Sequence, residues 1–381
     1  MRRNILFSLF PFLLFGCAEV PVKSGNIDAT PEKILPIDWR NAIRAESFSK
    51  TDEGCWISPV ITAPFAFEEL IYSWSIRLKK GEAFRIYLKV AFTPGDETDW
   101  LYAGFWGAPV EMATGREKPK FDRGIVDMDW LKLKTKAVTY QFRIESAGET
   151  PLDSIPTLTV VCTDNHPTEE LFSRYFPAPL KEQIPGRAFD IPLRRQMDSQ
   201  GNATPSRCQS AALASAMEYF GKSVNLEDII DYIHDPEYDY PGLWPRVIGA
   251  AGEFGFDGYI DRFREWDSVR KALSEHKILL TSIRMAEGDC KAPPYKKMGN
   301  HIIVLNGVTD DGRVVVTDSA LGKSGKGYLC QWLQEDFEKI WMRTKGGVTM
   351  VICPPKGAEE KLVENLPPFP LEREHLVGDD H

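Results

Sequence analysis

Apolar and polar residues change rhythm twice along the 381-residue chain. Between about residues 40 and 162 the rhythm is that of short strands. Phe84, Ile86, Leu88 and Val90 alternate with Arg85, Tyr87 and Lys89, residues 137–144 alternate in the same way, and residues 158–162 read as a closing strand. Turn signals such as Pro94-Gly95-Asp96 separate these runs, and no helix-period segment intervenes. The pattern predicts an all-β sandwich. Residues 163–190 carry Pro167, Pro177, Pro179 and Pro185 and show no period, as expected of a linker. From 191 the texture becomes α+β. Helices are predicted over 210–220, where Leu213, Ala216, Met217 and Phe220 fall on one face, and over 226–234 and 266–276. Strands are predicted over 278–283, 301–308, 314–318, 327–332 and 348–353. The protein is therefore expected to be α+β overall: an N-terminal all-β sandwich over 39–163, a linker over 164–190, a mixed domain over 191–354, and an extended or poorly ordered acidic, Pro-rich tail over 355–381.

Composition changes this picture little. Hydrophobic residues make up 43% and charged residues 27%, which excludes global disorder, and the length suits two domains. A net charge of −9 with no dense Lys/Arg cluster excludes nucleic acid as a partner. The N-terminus adds more. Arg2 and Arg3 precede an apolar run over 5–15 broken by Ser8 and Pro11, too short to span a bilayer stably. It ends at Leu14-Phe15-Gly16-Cys17, which resembles a bacterial lipobox. That resemblance implies a signal peptide over 1–16, lipidation of Cys17, a tether over 17–38, and a protein anchored in the cell envelope, facing the periplasm or exterior. The alternative is an ordinary secretion signal in which Cys17 is incidental. Export would place the six remaining cysteines where disulfides can form.

Three residues carry chemistry. Cys208 opens the Ala-rich helix, where unpaired N–H groups favour a thiolate. His301 opens an apolar strand. The backbone turns at Asp310-Asp311-Gly312 and returns to Asp318, so a hairpin brings carboxylate and imidazole together. The two share a face only if the hairpin carries a one-residue bulge, which Gly312 is suited to supply. Each residue alone has an ordinary structural explanation, but nucleophile, base and orienting acid in this order along the sequence define a mechanism. Gln196, twelve residues before Cys208, adds an amide able to join the Cys208 N–H in an oxyanion hole. The other histidines show no metal-ligand spacing, so no metal or other cofactor is expected.

Residues 191–353 resemble the C39-like cysteine peptidases, a papain-fold group. The resemblance is carried by Arg195-Gln196-Met197-Asp198, by Cys208 with the helix closing at Phe220-Gly221, by Gly242-Leu243-Trp244-Pro245, by Asn300-His301 and by residues 314–318. It implies a peptide or protein substrate and a Cys208, His301, Asp318 centre with Gln196 as oxyanion donor. Three neighbours depart from the family pattern: Gln209 where Gly is usual, Asn300 before the histidine, and Ser319 after the aspartate. Residues 73–75, 100–106, 127–129 and 156–158 resemble a β-sandwich found before such domains. Its aromatics Trp74, Trp100, Tyr102, Phe105 and Trp106 are candidates for a glycan-stacking platform or, more simply, for core packing. Three rival readings remain: acyl transfer to an amine, a peptidase fold kept as a peptide- or glycan-binding module without turnover, and a cell-wall amidase. The amidase lacks its Asp-Cys-Ser motif at Cys208.

Overall fold

A computed structural model describes residues 34–196, 207–324 and 326–369. The signal peptide, Cys17 and most of the tether lie outside the described residues. In the N-terminal domain the principal strands are Ile37–Ile43, Ile61–Ser75, Ala83–Thr93, Leu101–Gly107, Trp130–Ser146 and Thr157–Asp164, all antiparallel to their neighbours. They form one hydrogen-bonded sheet rather than two separate ones. The 17-residue strand Trp130–Ser146 makes this possible, pairing with Ile61–Ser75 along one edge and with Gly124–Asp127 and then Ala83–Thr93 along the other. Register shifts between Lys132 and Thr139 bend it, as bulges do. The sheet folds over its own apolar face, so Trp74 meets Trp106 with ring centroids 6.2 Å apart and Tyr72 donates to the Ala103 carbonyl at 2.6 Å. Trp74, Tyr102, Phe105 and Trp106 are thereby buried. Core packing, not a glycan platform, accounts for these four.

The second domain sets a helix against a sheet. Strand order is Gly258–Arg262, Val348–Ile352, Ile278–Met285, Met298–Val308, Arg313–Thr317 and Cys330–Leu333, antiparallel throughout. The helix Cys208–Tyr219 packs on Met298–Val308. Ten of its twelve residues are buried, so the single apolar face expected from its periodicity is instead an apolar surface all round, as in a central helix. This is the papain-like arrangement, a cysteine-bearing helix against a histidine-bearing sheet.

From Ile34 onward the two domains pack as one unit. A helix unmarked in the sequence pattern, Trp244–Glu253, is the main contact with the N-terminal sheet. A Cβ on its Gly249 would lie 2.7 Å from the Trp74 indole nitrogen and 2.9 Å from the Trp106 ring. Only a residue without a side chain lets helix and sheet approach so closely. Polar contacts reinforce the junction: Arg262 with Glu69 at 2.6 Å, Arg264 with Asp38 at 2.5 Å, and the Trp106 N–H donating to Glu253 at 2.9 Å. Buried Glu237 accepts from the Tyr102 hydroxyl and from Arg116.

The structure adds three details. The linker has regular structure, a helix Glu169–Tyr175 and a two-residue strand Arg187–Ala188. The described part of the tail is extended but docked: the Val363 N–H donates to Ala188, and Lys361 bonds Tyr219 and Asp190. The six described cysteines are all unbridged. Among the described residues no helix is long and apolar enough to cross a membrane.

Candidate active site

The site is built where the hairpin, the central helix and the second-domain N-terminal segment converge. The hairpin ladder pairs Val308 with Val314 and Gly307 with Val315, then shifts so that Leu305 faces Val316 and Val304 faces Thr317. The extra residue is Asn306. Without it Asp318 would come level with Val304 and point away from His301; with it Asp318 comes level with Ile303, on the face that carries His301. The sequence therefore required a bulge, but Gly312 does not supply it. Gly312 takes the left-handed conformation that ends the three-residue turn, with φ +76°. The ladder shifts at Asn306 because another strand holds it there. Its side-chain amide donates to the Phe189 carbonyl at 2.9 Å, and its own carbonyl accepts the Phe189 N–H at 3.0 Å. Next to it, a Cβ on Gly307 would lie 1.9 Å from the Arg187 carbonyl oxygen, so glycine is required for that strand to seat.

His301 Nε2 then lies 2.8 Å from Asp318 Oδ1, both residues buried. The other carboxylate oxygen accepts the buried Tyr295 hydroxyl at 2.6 Å, and the Ala320 N–H donates to Oδ1 at 3.0 Å. Burial alone would raise the Asp318 pKa, but the His301 charge and these donors hold it below its ordinary value. Burial would likewise lower His301, and the Asp318 charge and hydrogen bond, helped by Cys208, push it up to about 10 instead. Because Nε2 is taken by Asp318, Nδ1 is the nitrogen left for proton exchange. Tyr295 was not foreseen: a loop tyrosine has no local signal, and only the fold brings it to Asp318.

Cys208 is the first residue of its helix and 5% exposed. Its thiol donates to Gln209 Oε1 at 3.3 Å, and Gln209 Nε2 donates to the Gly242 carbonyl at 3.1 Å. Gln209 thus ties the Cys208 helix to the segment before Trp244. Elsewhere, burial raises the thiols of Cys55, Cys162, Cys353 and Cys290, the last to about 12.

Gln196 is laid beside this centre by its neighbours. The Thr317 hydroxyl donates to the Ile191 carbonyl at 3.1 Å, and Arg194 bonds Ser215 and Glu218 on the central helix and the Val224 carbonyl in the loop after it. Gln196 is buried, and its Oε1 accepts from the Ser319 hydroxyl at 2.8 Å. That bond gives the unusual Ser319 a task and leaves the amide NH₂ as the free end. Met197, Asp198 and Gln200 lie outside the described residues.

Cys208 and His301 open on a cleft of about 470 Å³. One wall is Tyr240 to Trp244, Ser282, Asn300 and Lys345 of the second domain; the other is Asp127 to Trp130 and Lys132 of the first. The Trp244 N–H, at the start of its helix, donates to Asp129 Oδ2 at 2.8 Å, so the N-terminal domain caps a helix of the other domain. Trp130 and Trp244 approach with centroids 6.0 Å apart. No group of three or more His, Cys, Asp or Glu side chains able to hold a metal occurs among the described residues.

The model of the Peptidase C39 like family matches residues 188–348. The second domain belongs to that family, and the protein is a cysteine peptidase. The first domain, residues 34–162, matches the Peptidase C39 N-terminal domain. Among solved structures the protein is similar to the peptidase domain of Streptococcus ComA, a bifunctional ABC transporter of a quorum-sensing pathway, at 14% identity and TM-score 0.30, covering 43% of this sequence and 98% of that one. It is also similar to a double-glycine motif protease from an AMS/PCAT transporter, solved with its leader peptide, at 17% identity and TM-score 0.31, covering 45% of this sequence and all of that one. No curated protein matches. In this C39-like peptidase the cleft thus borrows one wall from the N-terminal domain.

Proposed function

We propose that this peptidase cleaves a peptide or amide bond through Cys208, His301 and Asp318, with Gln196 as oxyanion donor. The observation that carries the reading is the buried His301–Asp318 bond, with His301 pushed up to about 10 by Asp318 and Cys208. An imidazole held in that state takes the thiol proton readily. The sulfur attacks the carbonyl carbon, and charge moves onto the oxygen beside the Gln196 amide and the Cys208 N–H. His301 then gives its proton to the leaving amine, and a thioester remains. Water attacks that thioester, passes its proton to His301, and the acid product leaves as the thiol is restored. Asp318 keeps the imidazole in the required tautomer without exchanging a proton itself.

The substrate is taken to be a peptide, in keeping with the family. The Arg2 to Cys17 run supports a lipid anchor and work at the cell envelope. Two experiments test these statements. An electrophilic cysteine probe should label the wild type and not Cys208→Ala; preferential labelling of Cys290 or Cys330 would sink the assignment. Cys17→Ser should move the protein from the membrane fraction to the soluble fraction, and continued membrane retention would end the anchor proposal.

A further inference from the structure

The cleft has an uneven charge balance around Asn300 and Lys345. Asp127 is bridged by two lysines, Lys118 at 2.5 Å and Lys132 at 2.6 Å. Arg262 is held by Glu69. Asp129 lines the cleft too, with one oxygen on the Trp244 N–H. Lys345 is different. Its ammonium donates to a neutral amide, Asn300 Oδ1, at 3.2 Å and lies 5.7 Å from the centre of the Trp244 ring. Arg284 stands exposed on the strand beside Asn300. Neither Lys345 nor Arg284 is in a direct ion pair among the described residues; Asp129, across the cleft, attracts Lys345 without bonding to it, and Arg284, Lys132 and Arg262 repel it. Asn300 directly precedes His301, and Lys345 lines the same cleft as Cys208 and His301.

We propose that Lys345, with Arg284 behind it, receives a substrate carboxylate next to the scissile bond, against the Trp130–Trp244 pair. The proposal rests on Cys208 being the nucleophile of this cleft. An ammonium held half-buried among like charges is unfavourable in the empty protein, and a bound carboxylate relieves it. Burial lowers the Lys345 pKa; repulsion from Arg284, Lys132 and Arg262 adds to this, and the attraction of Asp129 offsets it only in part. Such a volume holds a few residues of peptide, so the carboxylate is either an Asp or Glu side chain or the free carboxyl end of the peptide. The first domain takes part directly, because Trp130 and Asp129 complete the pocket that the second domain leaves open.

The test uses two small alkylating agents on the full-length protein. Iodoacetate carries the carboxylate and iodoacetamide does not, so the ratio of their rates at Cys208 reads the local field without any need for a known substrate. Lys345→Gln should lower that ratio by about five-fold, the size expected for one cation several ångströms away in a partly screened site. Lys345→Arg should retain it, and Arg284→Gln should lower it less. An unchanged ratio in Lys345→Gln, with Cys208 still alkylated by both agents, would overturn the proposal while leaving the nucleophile in place. Failure of both agents at wild-type Cys208 would instead overturn the nucleophile, and the proposal with it. Peptide libraries with free and with amidated C-termini then identify the source. Asp or Glu enriched beside the cleaved bond in both libraries marks a side chain, and cleavage confined to the C-terminal end of the free-acid library marks the terminus. Cleavage indifferent to acidic residues in both libraries would refute the assignment.

Discussion

Two carboxylates serve the two walls of the cleft, and their surroundings drive them in opposite directions. Asp318, on the peptidase side, is fully buried yet lies below its ordinary pKa, because His301, Tyr295 and the Ala320 N–H together outweigh desolvation. Asp129, on the wall lent by the N-terminal domain, is pushed up to about 6, because burial exceeds what the Trp244 N–H returns and the charge of Asp127 adds to it. Burial is common to both. What separates them is the number of donors, and in particular one full positive charge. Asp318 is built to be an anion beside an imidazolium. Asp129 is built to cap a helix, and the site tolerates it nearly neutral in mild acid.

The largest expected effect breaks the first of these environments. Asp318→Asn should retain the fold but lower kcat/KM by roughly 10³- to 10⁴-fold through the wrong tautomer and the lost charge. The alkaline limb of the pH–rate profile should also fall from near 10, where Asp318 and Cys208 hold His301. A variant with unchanged rates would show that the Asn306 bulge does not serve catalysis. Next in size is Gln196→Ala, expected to reduce kcat by about 100- to 1000-fold while KM moves little, with Gln200→Ala as the control. If only the control lost turnover, the oxyanion role would pass to Gln200.

The second wall is probed through the docking helix. Gly249→Val places carbon where Trp74 and Trp106 already sit. Overpacking of this kind costs about 1–3 kcal/mol, so thermal unfolding should come several degrees lower. An unaltered melting temperature would mean that the helix can stand off from the sheet without penalty. The smallest effect concerns Asp129. Asp129→Ala should lose about 1 kcal/mol, as for a removed helix cap, and Asp129→Asn rather less. The native fold retains the Asp129 proton up to about 6, whereas the unfolded protein releases it near 3.8. Stability should therefore decline as pH rises from about 4 to about 6, and this decline should shrink in Asp129→Asn. The His301–Asp318 pair behaves oppositely. The Asp318 contribution is present above about 4 and lost as pH falls through its lowered value, and the His301 contribution is present below about 6.5 and lost as pH rises through about 10. Denaturant titrations across pH, wild type against Asp129→Asn, separate the two; identical slopes would remove Asp129 from the balance.

Much of this was legible in the residues themselves. Alternation over 84–90 and 137–144 specifies half-buried strands, because side chains on a strand have period two, and Cys208, His301 and Asp318 stand out by chemical type and by their order in the sequence. Even the need for a bulge follows from counting, since pairing parity around a turn at Asp311 puts His301 and Asp318 on opposite faces. The tertiary structure decided where that bulge falls: Asn306 is held by Phe189, 117 residues earlier. It likewise brought Tyr295 to Asp318, Ser319 to Gln196, and Asp129 and Trp130 across from another domain to wall the cleft. The helix Trp244–Glu253 is not marked in the sequence pattern because Gly249 and Gly252 are poor helix formers in its interior, and its reason to exist is the sheet it docks against. Periodicity and chemical type belong to neighbours in sequence, so they are present before anything folds. A contact between distant segments depends on the shape of both partners at once, and that is fixed only when they have packed.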